Sequence, residues 1–208
     1  MGIGQNENMK SSFLSYDLKV GYSCNNRCKH CVIAGNKVHK IECNESIDLS
    51  FEEIKSLIEE NCRDNVNRIV LTGGEVTIRK DFAQIIEICK QKGLIVSIQT
   101  NGRQFKDPKL VDVLLDLPDV SLAVALHSSC EQIHDTITDV KGSFYETCSG
   151  IKNLSRKGIS VCVKVVISQY NQYDLANLTQ LAYELGAETM NIAFPHGLGA
   201  AEWNFDEV

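Results

Sequence analysis

Val120-Ser121-Leu122-Ala123-Val124-Ala125-Leu126-His127 alternates with a period of two. Leu122, Val124 and Leu126 fall on one side of a strand, and Ser121, Ala123, Ala125 and His127 on the other. A second stretch splits the same way, with Val161, Val163 and Val165 against Cys162, Lys164, Val166 and Ser168. Ser97, Gln99 and Asn101 share a phase of a third stretch, and Asn191 and Ala193 share one of a fourth. A doubly wound sheet, covered by helices on both faces, would be apolar in both phases. One greasy face and one small or polar face predict a curved sheet, with helices outside and a polar lumen inside.

Outward from that stretch the chain alternates strand and helix. Strands are expected at residues 16–22, 68–72, 94–100, 120–126, 160–167 and 188–194. Ser50 and Glu53 form a capping box ahead of a helix whose apolar face is Phe51, Ile54, Leu57 and Ile58. Asp81 is expected to cap a helix with Phe82, Ile85, Ile86 and Cys89 inward, closed by Gly93. Asp107-Pro108 starts the next, with Leu110, Val111, Leu114 and Leu117 as its stripe. Phe144, Cys148, Ile151 and Leu154 mark a fourth helix, and Leu175, Leu178, Leu181, Ala182 and Leu185 a fifth; Gly158 and Gly186 stop them. Residues 32–48 read as irregular, and no helical pattern comes after the sixth strand, which suits either a truncated chain or a naturally short one. Six strands and five helices in alternation mean right-handed crossovers and a parallel sheet.

Composition narrows the class. The chain has 208 residues, 43% hydrophobic and 23% charged, enough for one sizeable core. No linker divides it, so residues 13–208 read as one domain behind a loose polar segment, 1–12. The net charge of −6, with no Lys/Arg cluster, argues against nucleic acid. No apolar run approaches the roughly 20 residues of a membrane helix, and the start lacks the pattern of a signal peptide. A cytoplasmic, reducing setting is expected.

Between the first strand and the first helix lies Cys24-Asn25-Asn26-Arg27-Cys28-Lys29-His30-Cys31, three cysteines spaced C-x3-C-x2-C. Thiolates are soft ligands suited to zinc, cuprous ion or iron–sulfur clusters. A cubane four-iron cluster takes four cysteines; three on one loop leave one iron open, and an open position marks a metal that does chemistry. Nine cysteines is an odd number and no secretory signal is present, which argues against a disulfide framework. A Cys3His zinc site would need His30, wedged between Cys28 and Cys31, where tetrahedral geometry is awkward. The loop's polar neighbours argue against burial as core. Cys62, Cys89, Cys148 and Cys162 read as packing or lumen residues, and Cys43 has no assigned role. The remaining turns, Gly73-Gly74-Glu75, Thr100-Asn101-Gly102, His127-Ser128, Ser168 and Pro195-His196-Gly197, also lie just past strand C-termini, where βα barrels build their sites.

In the spacing of these cysteines, and in the order of the turns after them, the chain resembles the radical S-adenosylmethionine (radical SAM) superfamily. Thr72–Phe82 (TGGEVTIRKDF) and Thr100-Asn101-Gly102 resemble the subfamily of the molybdenum-cofactor cyclase and peptide-modifying maturases. The resemblance implies a partial (β/α)6 barrel, open at one side. It implies that Cys24, Cys28 and Cys31 hold a [4Fe–4S] cluster whose open iron is chelated by S-adenosylmethionine. Gly73, Gly74 and Glu75 would meet the methionyl amino group, a carboxylate complementing an ammonium. His30 stands where the family has an aromatic residue near adenine, and Phe194 and Pro195 would lie near adenine too; Thr100 and Asn101 match the subfamily's cofactor region. The implied reaction is reductive cleavage of S-adenosylmethionine to a 5′-deoxyadenosyl radical that abstracts hydrogen from a small-molecule or peptide substrate. An electron donor such as flavodoxin or ferredoxin is implied as partner.

The chain also departs from the pattern. The subfamily's fourth strand often ends Ser-Leu-Asp, with the serine on the ribose; here it reads Ala125-Leu126-His127, so Ser128 or His127 is the substitute. No cysteine comes after Cys162, which removes the support for a second cluster. Lys164 interrupts a strand of Val and Ile on the small-residue face, where an ammonium needs solvent or an anionic partner. Lys164 and His127 are therefore the candidates for holding an acidic substrate group, with Asn101 and Asn191 as lesser ones. Cys130, past the fourth strand, is a candidate hydrogen donor to a substrate radical. A non-catalytic cluster-binding scaffold is the alternative to an enzyme, and a peptide maturase the alternative within the enzymes.

Overall fold

The computed structural model describes residues 14–63, 66–204 and 206; the 1–12 segment lies outside them. Six strands form one parallel sheet in sequential order: β1 (Ser15–Lys19), β2 (Arg68–Thr72), β3 (Ile95–Thr100), β4 (Val120–Ala125), β5 (Ser160–Val166) and β6 (Thr189–Ala193). β1 and β6 do not pair, so the sheet is an open barrel. Helices cover its outside: α1 (Ala34–Glu42), α2 (Phe51–Arg63), α3 (Phe82–Gln91), α4 (Pro108–Asp112), α5 (Glu131–Thr138), α6 (Ser143–Arg156), α7 (Leu175–Glu184) and α8 (Ala200–Trp203). Among the described residues no helix is long and apolar enough to cross a membrane.

The two strand phases separate as their residues require. Ile69, Leu71, Val96, Ile98, Leu122, Val124, Val161, Val163 and Val165 are buried beneath the helices. The other phase is only half-buried. Its neighbours pair across strands: Ser97 with Ser121, Ala123 with Cys162, Ala125 with Lys164, and Lys164 with Asn191. A polar ladder runs over this inner face, Arg68 Nη1 donating to Ser97 Oγ at 3.2 Å and Ser97 Oγ lying 3.0 Å from Ser121 Oγ. The lumen is therefore polar. Cys89 is fully buried, Cys62 and Cys148 pack against the core, and Cys162 lies on the lumen face.

Three helices depart from the sequence reading. α1 occupies residues read as irregular; it buries none of its side chains, so it carries no core-facing stripe. α5 buries His134, Ile137 and Thr138, a mostly polar face that hydrophobic periodicity misses. α8, four residues long, comes after β6 and buries Ala200 and Ala201. The capping box of α2 forms, with Ser50 N and Oγ donating to Glu53 at 2.7 Å. Asp81 makes no capping bond to α3. Arg79 takes its carboxylate instead at 2.7 Å, and also donates to Val20 O and Leu49 O.

Candidate active site

The cysteine loop leaves the end of β1 and is fixed from several sides. Arg27 N donates to Thr138 O and Lys29 N to Ile137 O, docking the loop on the end of α5. Asn101 Nδ2 donates to Asn25 Oδ1 at 2.6 Å. Arg103 Nη1 donates to Asn25 O and to Asn26 Oδ1 at 2.7 Å, while its Nε pairs with Glu146 at 2.7 Å. On the far side Ala200 N donates to Cys31 O at 2.9 Å. Gly199 permits that approach, because a Cβ there would fall 2.5 Å from Cys31 O and its φ is +61°. Arg103 escaped the sequence reading; its partners are 77 and 78 residues away in sequence.

The turn after β2 lies against the segment entering that loop. Gly74 N donates to Gly21 O and Glu75 N to Ser23 O. A Cβ on Gly73 would meet Gly21 O at 2.4 Å, and one on Gly74 would meet Ser23 O at 2.1 Å. The glycines thus serve a close approach of two backbones within the protein itself. Glu75 is 2% exposed. Its Oε1 accepts from Thr77 N, Thr77 Oγ1 and Thr100 Oγ1, and its Oε2 accepts from Asn101 N at 2.6 Å. Glu75 is therefore a brace between the ends of β2 and β3, and the acceptor position left open is on Oε2. Thr100 and Asn101 both donate to Glu75, and Asn101 also donates to Asn25.

His127, just past β4, is 2% exposed. Its ring meets His30 edge to face at 4.6 Å and stacks on His134 at 5.7 Å. Its backbone N–H donates to His134 Nδ1, and its carbonyl accepts from Asn171. Burial holds His30 and His134 neutral, lowering each to about 4, and lowers His127 well below its usual value. His127 thus faces the cysteine loop. Ser128 is fully buried; its hydroxyl donates to Asp174 and accepts from Cys130 N, so its one proton is committed to Asp174. Cys130 directs its thiol along α5 to Gln132 Oε1 at 3.0 Å.

Lys164 lies mid-lumen between Ala125 and Asn191. It is partly exposed, and among the described residues its ammonium has no hydrogen-bond or ion-pair partner. Phe194, at the end of β6, is 75% exposed, leaving an aromatic face open where the Pro195 loop begins.

The donor set fits a cluster. Burial pushes the Cys24 thiol up to about 11 and the Cys28 thiol up to about 12, and Cys28 feels both Cys24 and Cys31. Three soft donors on one loop, with Cys24 and Cys28 in surroundings too dry for bare thiolates, suit a cationic iron–sulfur group that takes the place of the thiol protons. Three thiols on one loop, over the C-terminal ends of an open parallel barrel, are a donor set that could hold an iron–sulfur centre. The chain belongs to the Radical SAM superfamily, matching it over residues 18–177. That family uses a [4Fe–4S] cluster and S-adenosylmethionine.

The chain is 26% identical over 171 residues to the subtilosin biosynthesis protein AlbA of Bacillus subtilis, covering 82% of this chain and 37% of AlbA. It is 28% identical over 188 residues to the AdoMet-dependent heme synthase of Methanosarcina barkeri, covering 89% of this chain and 52% of that protein. Streptococcus suis SuiB, solved with its precursor peptide SuiA and with S-adenosylmethionine, superposes with a TM-score of 0.74 at 14% identity, covering 88% of this chain. The chain spans about half or less of the length of these relatives.

Proposed function

We propose that residues 13–208 are the catalytic core of a radical SAM enzyme that abstracts hydrogen from a small molecule or peptide bearing an anionic group. When bound, the cluster supplies the electron that cleaves S-adenosylmethionine to a 5′-deoxyadenosyl radical. The chain's own residues bind, orient and exclude water. Cys24, Cys28 and Cys31 hold the cluster on a loop that Arg103, Asn101 and Ala200 keep rigid. Glu75 offers its open Oε2 position to the methionyl ammonium, a charge-assisted bond, and Gly73 and Gly74 set its position. His30, Phe194 and Pro195 form the apolar side toward adenine. His127 belongs to the cofactor side of the site. Lys164, with Asn191 beside it, receives the substrate's acidic group.

The observation that carries this reading is the convergence of the three thiols with the Glu75 brace at one end of the open sheet. SuiB was solved with a precursor peptide, AlbA is named for the biosynthesis of a bacteriocin, and the third relative is named as a heme synthase, so both a peptide and a small-molecule substrate suit related cores. An external low-potential donor such as flavodoxin or ferredoxin, in the cytoplasm, fits the need for a reduced site. The test is anaerobic incubation with dithionite and S-adenosylmethionine, reading 5′-deoxyadenosine by chromatography. Turnover that disappears in Cys28→Ala supports the reading; a reduced, iron-loaded protein that leaves the cofactor intact would return the chain to a non-catalytic scaffold.

A further inference from the structure

We propose that the cluster-free protein binds one divalent transition metal, zinc or cobalt in class, through Cys28, His30 and His127. The Cys28 sulfur and one ring nitrogen from each histidine lie within 4.8 Å of one another. In a tetrahedral zinc site, ligand atoms lie roughly 3.3–3.8 Å apart, given metal–ligand bonds of about 2.0–2.3 Å. A shift of about 1 Å in these side chains closes the set. One thiolate and two neutral imidazoles suit such ions, and water completes the fourth position.

The second observation is independent of that distance. Among the described residues four buried side-chain polar atoms lack a partner: His30 Nδ1, His127 Nδ1, His134 Nε2 and Asn67 Oδ1. Three of the four belong to one histidine stack. Each such atom destabilises the fold unless something satisfies it, and a group of them in one place calls for a water, an ion or a functional role; a metal ion satisfies two of the three at once. His134 supports the set from behind, stacking on the His127 ring and accepting the His127 N–H. His30 alone sits badly for a metal between two cysteines; the partner that completes the geometry arrives from the far end of β4, where no sequence spacing reveals it.

Binding exchanges the Cys28 thiol proton, released to solvent, for a metal–sulfur bond, with no change of oxidation state. Because Cys28 is shared, metal and cluster exclude one another. This consequence rests on the reading of Cys28 as a cluster ligand, whereas the metal site does not.

The experiment titrates cobalt(II) into metal-free, anaerobic, full-length protein. One cobalt per chain is expected, with tetrahedral visible bands and a sulfur-to-cobalt charge-transfer band. His30→Gln and His127→Gln should each weaken binding at least tenfold, on the order of what even indirect partners of a metal contribute, with circular dichroism showing that both variants fold. Equal affinity and spectrum in both variants would mean that cysteines alone hold the metal, and would overturn the site. In the second arm zinc-loaded protein is offered iron and sulfide. Blocked iron uptake supports exclusion, and iron uptake with zinc retained overturns it. Failure of metal-free protein to take up iron is a different result and bears on the proposed radical SAM function instead.

Discussion

Glu75→Gln tests the brace and the cofactor contact together. Four donors converge on this carboxylate, which is 2% exposed. Glutamine can keep one oxygen where Oε1 stands, serving Thr77 and Thr100. Its NH2 then faces the Asn101 N–H, a donor against a donor at a position now 2.6 Å away. Losing that charged hydrogen bond costs about 1.5–3 kcal/mol, and leaving a buried N–H unmet costs about 1–3 kcal/mol. The retained bonds also weaken as the acceptor loses its charge, while rotation of the two hydroxyls recovers part. A net loss of about 3–5 kcal/mol results, or roughly 6–20 °C in Tm for a chain of this size. Thermal unfolding of the cluster-free protein, monitored by near-ultraviolet circular dichroism, reads it. S-adenosylmethionine binding to the cluster-loaded variant should weaken as well. A Tm within about 2 °C of the parent, under one kcal/mol, would refute the brace, even if cofactor binding fell.

Gly74→Ala places a Cβ 2.1 Å from Ser23 O, a backbone atom that cannot swing aside, so it should cost about 2 kcal/mol or more and lower iron retention measured after gel filtration. Lys164→Met should leave uncoupled cleavage of S-adenosylmethionine intact while product formation from the anionic substrate falls; full substrate turnover would remove Lys164 from the site. Against the burial that raises them, hydrogen bonds hold Asp135 (from Phe144, Gly142 and Ser143) and Asp174 (from Ser128 and Ser129) below their usual values. Their contribution is present above the unfolded carboxylate value near 3.9 and fades as pH falls through the lowered folded values. Asp135→Asn and Asp174→Asn should therefore each lower Tm by about 2–4 °C at neutral pH, and the gap from the parent should close in acid; a gap that persists there would contradict the assignment.

The period-two pattern made the barrel legible, because one phase of β4 and β5 has to be greasy beneath helices while the other borders a lumen. The cysteine loop was legible because its ligands are adjacent in sequence. What escaped depends on contacts between distant segments. Thr100 and Asn101 reach Glu75 across 25 and 26 residues, and Arg103 reaches across 77 to Asn26. His127 looked like a lumen residue from its strand phase, yet its ring rests on His30. Ser128 looked free to meet a ribose, and Asp174, at the start of α7, takes its hydroxyl at 2.5 Å. α5 hid because its buried side chains are His134 and Thr138 as much as Ile137. The sequence marks residue types that do chemistry; which of them carry ligands and which brace the frame is decided by partners that only the folded chain brings near.

The most direct measurement is the metal content and spectrum of zinc-free protein after anaerobic reconstitution. A cluster on Cys24, Cys28 and Cys31 predicts brown protein with about four irons per chain, a reduced electron paramagnetic resonance signal that changes when S-adenosylmethionine is added, and loss of both in Cys28→Ala. Colourless protein with less than about one iron per chain, or a signal indifferent to S-adenosylmethionine, would contradict it.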